Sequence, residues 1–176
     1  LQKLELKKFI LHKLNKSKSS ILDKPLSKGK GEISLALYAL LFSEIVQYCQ
    51  NKSHSIHELQ NKLSEIGQDV GTRLLDLYFV REKNSKREIK LLNMLLFIKS
   101  TLWKVNFFVP QVNKFISVPK DKGSLNCASF NAGIIEAVLT KGGFPAKVTA
   151  HWHKGTTYMV KFEDSVIARD KSLDDR

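Results

Sequence analysis

Cysteine is nearly absent: Cys49 and Cys127 are the only two in 176 residues, and they lie far apart. That excludes a disulfide framework and metal-ligand spacing, and makes a reducing, intracellular compartment the simpler expectation. No uninterrupted apolar run approaches the ~20 residues a membrane-spanning helix needs. The opening LQKLELKKFILHKL mixes charge throughout and does not read as a signal peptide. Acidic residues are the scarcer charge, 17 Asp and Glu against 29 Lys and Arg, giving a formal charge of +12. The basic residues concentrate from Lys3 to Lys30 and again at Lys83, Lys86, Arg87 and Lys90. No aromatic residues interleave with them as stacking platforms, so nucleic acid is not the expected partner. An acidic membrane surface or an acidic protein partner remains compatible with the charge.

Groups arranged for chemistry are also lacking. His151 and His153 share one strand face at period two, but a metal site wants a third ligand and His153 falls at a turn. They read as solvated or core-edge histidines, and His54 and His57 as residues of a helix start. Cys127 precedes a helix, where the dipole lowers a thiol pKa, yet nothing orients a base toward it. It reads as a small buried residue. Gly29-Lys30-Gly31 lacks the spacing and the following Ser or Thr of a phosphate-binding loop. No carboxylate pair suggests acid–base work. No catalytic, cofactor-binding or metal residue is assigned, and no cofactor; the expectation is a protein that is not an enzyme.

What is present is a globular chain, 43% hydrophobic. One domain over 21–170 is expected, with a basic, mobile arm at 1–20 and a mobile tail at 171–176. The stretch 124–162 reads as one packing unit. Phe130, Ile134, Ile135, Val138 and Leu139 have helical spacing over 128–140, and Ser124 and Asn126 are placed to cap the first turn. Gly142-Gly143 stops that helix and Pro145 cannot rejoin it. Residues 146–152 and 156–162 are β-branched and aromatic around a short connection, which predicts an antiparallel hairpin for the helix to cover.

Upstream, residues 32–50 form a helix that is apolar around much of its circumference, including Leu37, Leu41 and Ile45. Such a helix has to be covered on more than one side, by its own domain and by a partner. Ser55 and Glu58 stand in the capping-box relation and open a second helix. Its stripe Ile56, Leu59, Leu63, Ile66, Val70, Leu74 and Leu77 suits packing against another helix. Gly67 and Gly71, four apart, predict a close backbone approach, from a helix of the same chain or of a partner. Residues 89–103 read as a third helix, central to the core. Residues 105–118 read as one or two further strands, and 163–176 as a short element at the sheet edge or a tail that docks on a partner.

Three long runs carry a family resemblance: ILDKPLSKGKGEISLALYALLFSEIVQYCQ from residue 21, HELQNKLSEIGQDVGTRLLDLYFVREKNSKREIKLLNMLLFIKSTLWK from residue 57, and NCASFNAGIIEAVLTKGGFPAKVTAHWHKGTTYMVKFEDSVIARD from residue 126. They resemble the small core subunits of the TRAPP (transport protein particle) vesicle-tethering complex. The resemblance implies an α/β (α+β) fold of four main helices and a small, mostly antiparallel twisted sheet. It also implies a non-catalytic scaffold role in a core that acts as a Rab GTPase nucleotide-exchange factor in endoplasmic reticulum to Golgi transport. The implied location is cytoplasmic and peripheral, at endoplasmic reticulum and cis-Golgi membranes. Implied partners are sister subunits of the same fold, including the one that carries an acyl chain on a cysteine, and a Rab GTPase through the assembled complex.

In this family the first two long helices form the dimerisation surface. That makes Leu37, Leu41, Ile45, Ile56, Leu59, Leu63, Gly67, Val70, Gly71 and Leu74 the expected partner interface. Matching Arg87-Glu88 to the family pattern puts Lys83 where the acyl cysteine would stand, so the modification does not carry over. The rival reading is a small-molecule or acyl-chain-binding module of the same fold, its pocket lined by residues 91–97 and 134–139. A third, binding of RNA or DNA through the Lys-rich arm, predicts a steep loss of affinity with salt.

Overall fold

A computed structural model describes residues 34–82, 87–102, 112–118, 123–153 and 155–174. The chain separates into two units, Leu1–Gly31 and Glu32–Arg176, and every described residue belongs to the second. The expected arm at 1–20 therefore lies outside the described residues, as do Lys83 and residues 105–111.

The first helix, α1 (Leu35–Asn51), starts where Ser34 turns extended and its hydroxyl accepts from the Leu37 N–H at 3.2 Å. It begins three residues later than its apolar pattern suggests because that cap fixes the first turn. The second, α2 (Ile56–Glu82), opens on a modified capping box. The Glu58 N–H donates to Ser55 Oγ at 3.1 Å, while the Glu58 carboxylate accepts from the N–H of His54, not Ser55, at 2.8 Å. That backbone bond, and then Lys62 at 2.9 Å, hold the Glu58 carboxyl below its ordinary pKa.

Helix α3 (Leu91–Phe97) runs into a π turn at Ile98–Leu102, and a 3-10 turn follows at Val112–Phe115. Then come α4 (Ser129–Lys141), the strands β1 (Ala146–Trp152) and β2 (Thr156–Phe162), and α5 (Asp164–Asp174). The strands pair antiparallel with Val148 opposite Val160 and Ala150 opposite Tyr158.

Helix α4 is the centre of the fold. Nine of its thirteen residues are buried, from Phe130 to Ile135 and from Ala137 to Leu139. One side meets α2 at backbone contact distance through Gly67, Gly71 and Gly133. A Cβ on Gly67 would collide with the carbonyl oxygen of Phe130, and one on Gly71 would sit 2.6 Å from that of Ile134. The close approach expected of the two glycines is therefore made within the chain. Another side faces β1, where Val148 is buried; Ala146 and Ala150 of β1 and Tyr158, Val160 and Phe162 of β2 pack on the core.

Glu136, the one charged residue in the middle of α4, joins three elements. Its carboxylate accepts from Gln68 of α2 at 2.8 Å, from the Val148 N–H of β1 at 2.9 Å and from Lys147 at 3.1 Å. The helix ends as its glycine pair predicts. Gly143 takes φ +86°, the Phe144 N–H bonds back to Leu139 O at 2.8 Å, and the Gly143 N–H bonds to Thr140 O at 3.0 Å. This double bond pattern around a left-handed residue satisfies the last carbonyls of the helix. The start differs from expectation. Ser124 does not cap; Asn126 Oδ1 accepts from the Ala128 N–H at 3.1 Å, one turn ahead of the helix.

Two further expectations are corrected. The stretch around 112–118 adds no strand: Val112–Phe115 is a 3-10 turn, because Asn113 turns its amide to Asn126 Oδ1 at 2.9 Å and Thr156 Oγ1 at 3.1 Å. Among the described residues the sheet has two strands. Helix α3 is not a central core helix. Met94 is buried, as is Ile98 in the π turn that follows, but Leu92 and Leu96 face solvent. Residues 164–174, expected as a short element or a docking tail, are helical. They are the helix α5, anchored by buried Val166 and started by the N–H groups of Val166 and Ile167 on Glu163 O.

Candidate interaction surface

Helix α1 has two apolar faces, and the fold uses one. Phe42, Val46 and Cys49, at spacings of four and three, are buried, with Tyr38 and Ile45 packed beside them. The Phe42 ring meets Phe130 of α4 edge-on at 5.5 Å between centroids. Leu37, Leu40 and Leu41 are 59%, 66% and 59% exposed, and Leu35 and Tyr48 are exposed as well. Leu37, Leu41 and Tyr48 follow at four and seven residues, so they line one stripe, with Leu40 at its flank. Single exposed leucines are ordinary, whereas these form a contiguous apolar stripe on one helix.

The ten residues expected at an interface divide. Leu37 and Leu41 lie on the exposed stripe, and Val70 of α2 is 40% exposed. Ile45 and Ile56 are half-buried against the chain's own core. Leu59, Leu63 and Leu74 are core residues, and Gly67 and Gly71 are closed over by α4. These five face the chain's own core, where α4 fills that part of the α2 seam. Sequence reasoning passed over Leu35, Leu40 and Tyr48 as surface residues. The signal was there, since a helix apolar all round must leave some of those residues outside a small core.

The residues weighed for chemistry have structural surroundings. Cys127 is fully buried, and burial pushes its thiol up to about 12; burial likewise raises the Cys49 thiol. His151 and His153 are exposed, and His151 Nε2 lies 2.8 Å from Thr149 Oγ1. Among the described residues no three His, Cys, Asp or Glu side chains come together as metal ligands. The residues considered as a pocket lining go different ways: Leu92 and Leu96 face solvent, while Ile134, Val138 and Leu139 fill the core. A surface groove of about 530 Å³ lies elsewhere, between the end of α4, the outer ends of the two strands and the start of α5. No helix among the described residues is long and apolar enough to cross a membrane.

Against this geometry the comparisons with known proteins are decisive. The sequence profile of the transport protein particle (TRAPP) component family matches residues 38–111 and 106–163. The chain belongs to the TRAPP family. It is 50% identical to trafficking protein particle complex subunit 5 of Gallus gallus over 185 residues, covering 93% of this chain and 98% of that protein. The Homo sapiens protein of the same name is 48% identical over the same span. More distantly, subunit 31 of the Saccharomyces cerevisiae complex is 23% identical over 240 residues, 86% of this chain and 83% of that protein.

The fold agrees with the TRAPP assignment. A trafficking protein particle complex subunit 3 from Naegleria fowleri, solved covalently bound to palmitic acid, superposes with a TM-score of 0.62. It is 15% identical and covers 73% of this chain and 94% of that one. At that identity the likeness speaks for the TRAPP fold alone. The two stretches of the family match overlap at 106–111. The alignment to the Gallus gallus subunit likewise spans more positions, 185, than the 176 residues of this chain.

Proposed function

We propose that this chain is a non-catalytic scaffold subunit of the TRAPP complex and that it joins a sister subunit of the same fold through the exposed stripe of α1. The observation that carries this reading is the stripe itself: Leu37, Leu40 and Leu41 lie on a helix whose opposite face is locked into the core. Burying three such side chains is worth on the order of 1 kcal/mol or more each, once their remaining exposure is removed. The similarity to subunit 5 proteins supports the choice of complex. The sister subunit is of the acyl-cysteine-bearing kind. In this reading the chain works at the cytoplasmic face of endoplasmic reticulum and cis-Golgi membranes, where the assembled core engages a Rab GTPase. The excess of basic residues adds long-range attraction to acidic lipid, of about 1 kcal/mol per Lys or Arg near the surface.

Light scattering of the chain alone and mixed with a TRAPP subunit 3 tests the reading. A one-to-one complex is expected with the wild-type chain. Leu37→Asp with Leu41→Asp abolishes it, while thermal unfolding stays within a few degrees because both side chains are already in water. A double variant that still forms the complex would remove α1 from the interface. A wild-type chain that ignores the subunit would remove the scaffold reading.

A further inference from the structure

Two consecutive residues of α5 reach the ends of two different helices. Asp170 Oδ1 accepts from the Leu91 N–H at 2.8 Å, at the start of α3. The guanidinium of Arg169 donates to Gly143 O at 2.8 Å, just past the end of α4, and lies 4.8 Å from the centre of the Phe144 ring. The signs suit the places. A carboxylate complements the free N–H groups and positive dipole end at a helix start, and a guanidinium complements carbonyls at a helix end. Helix α3 needs such help. It has seven residues, its N-cap Lys90 makes no side-chain cap bond, and Met94 is its one buried residue. A helix this short is not stable on its own propensity.

The third side of the junction is apolar. The Met94 methyl lies against Gly142, so close that a Cβ there would come within 2.7 Å of it. Buried Val166 anchors α5 itself, and the Glu163 N–H bonds to Pro145 O at 3.1 Å. The end of α4, the start of α3 and the middle of α5 thus meet at one point.

We propose that α5 is a clasp: Arg169 fastens it to the rigid end of α4, and Asp170 uses that anchorage to hold the start of α3. The order of the first turn of α3 is then governed by the carboxyl-terminal helix, while Met94 against Gly142 and Phe97 against Tyr78 hold the body of the helix to α4 and α2. Opening the clasp loosens that turn while the core stays closed. Asp170 is a positioning residue in this device. The proposal stands on the chain alone and does not depend on the assembly it enters.

Hydrogen–deuterium exchange on the full chain, followed by mass spectrometry, tests it. In Asp170→Ala, peptides covering 91–102 exchange faster by about tenfold, the size expected for losing one hydrogen bond to a charged group. Peptides from α2 and α4 keep their wild-type rates. Asp170→Asn, whose amide oxygen can still accept from Leu91, shows a smaller increase. Unchanged exchange at 91–102 in Asp170→Ala overturns the clasp. So does an equal acceleration in α2 and α4, which would make Asp170 a general stability residue.

Discussion

At Gly67 the absence of a side chain lets α2 lie on the backbone of α4. The Phe130 carbonyl occupies the space a methyl group would need, and both elements are backbone, which cannot swing aside. Gly67→Ala therefore costs about 3 kcal/mol, at the upper end for overpacking, and lowers the melting temperature by roughly 10 °C for a domain of this size. Calorimetry of the two proteins measures this directly. Cys127 makes a second prediction. Its thiol is held neutral by burial, with a pKa raised from 9.0 to about 12. A raised native pKa contributes stability that is complete below pH 9 and is lost as pH rises toward 12, because the unfolded thiol ionises first. The loss is about 1.4 kcal/mol per pH unit from this one group. Urea unfolding between pH 8 and 11 should show a steep fall that is shallower in Cys127→Ala. The same burial makes the native thiol unreactive toward alkylating reagents at pH 8.

At the scale of elements, the hairpin is tied to the helices by more than apolar contact. Glu136 supplies β1 with the acceptor that its Val148 N–H needs and holds Gln68 of α2 at the same time. Glu136→Ala leaves those donors without their partner, at a cost of about 2 kcal/mol, readable as a shift in the urea midpoint. Glu136→Gln keeps an acceptor and loses less. The period-two and period-3.6 patterns made α4, β1 and β2 legible, since each has regular burial and a marked stop. Helix α5 was not legible. Its charged residues alternate with few apolar ones, and it exists because Arg169 and Asp170 find partners 26 and 79 positions away.

For the whole molecule the question is which apolar surface is inside. The stripe of α2 and the stripe of α1 look alike as patterns, and both were assigned to a partner. The structure fills the first with α4 and leaves the second in water. A single charge on each distinguishes them: Leu63→Asp, at a side chain with no exposure, unfolds the chain, whereas Leu37→Asp leaves the melting curve in place. Circular dichroism of the two variants, before any partner is added, checks this contrast. Family membership was legible because three long runs persist through the chain. Of the exposed stripe, only Leu37 and Leu41 were singled out by the sequence.

The sequence by itself determined the family, the main helices, the hairpin, and the need for a close helix–helix approach at Gly67 and Gly71. Those follow from local spacing, caps and stops, which depend on neighbours a few positions away. Only the tertiary structure decided that the approaching helix is α4 of the same chain, that the free stripe belongs to α1, and that a charged carboxyl-terminal segment folds over the start of α3. The physical reason is that burial is non-directional. An apolar stripe states that it must leave water, and nothing in the stripe says whether its own chain or another will cover it.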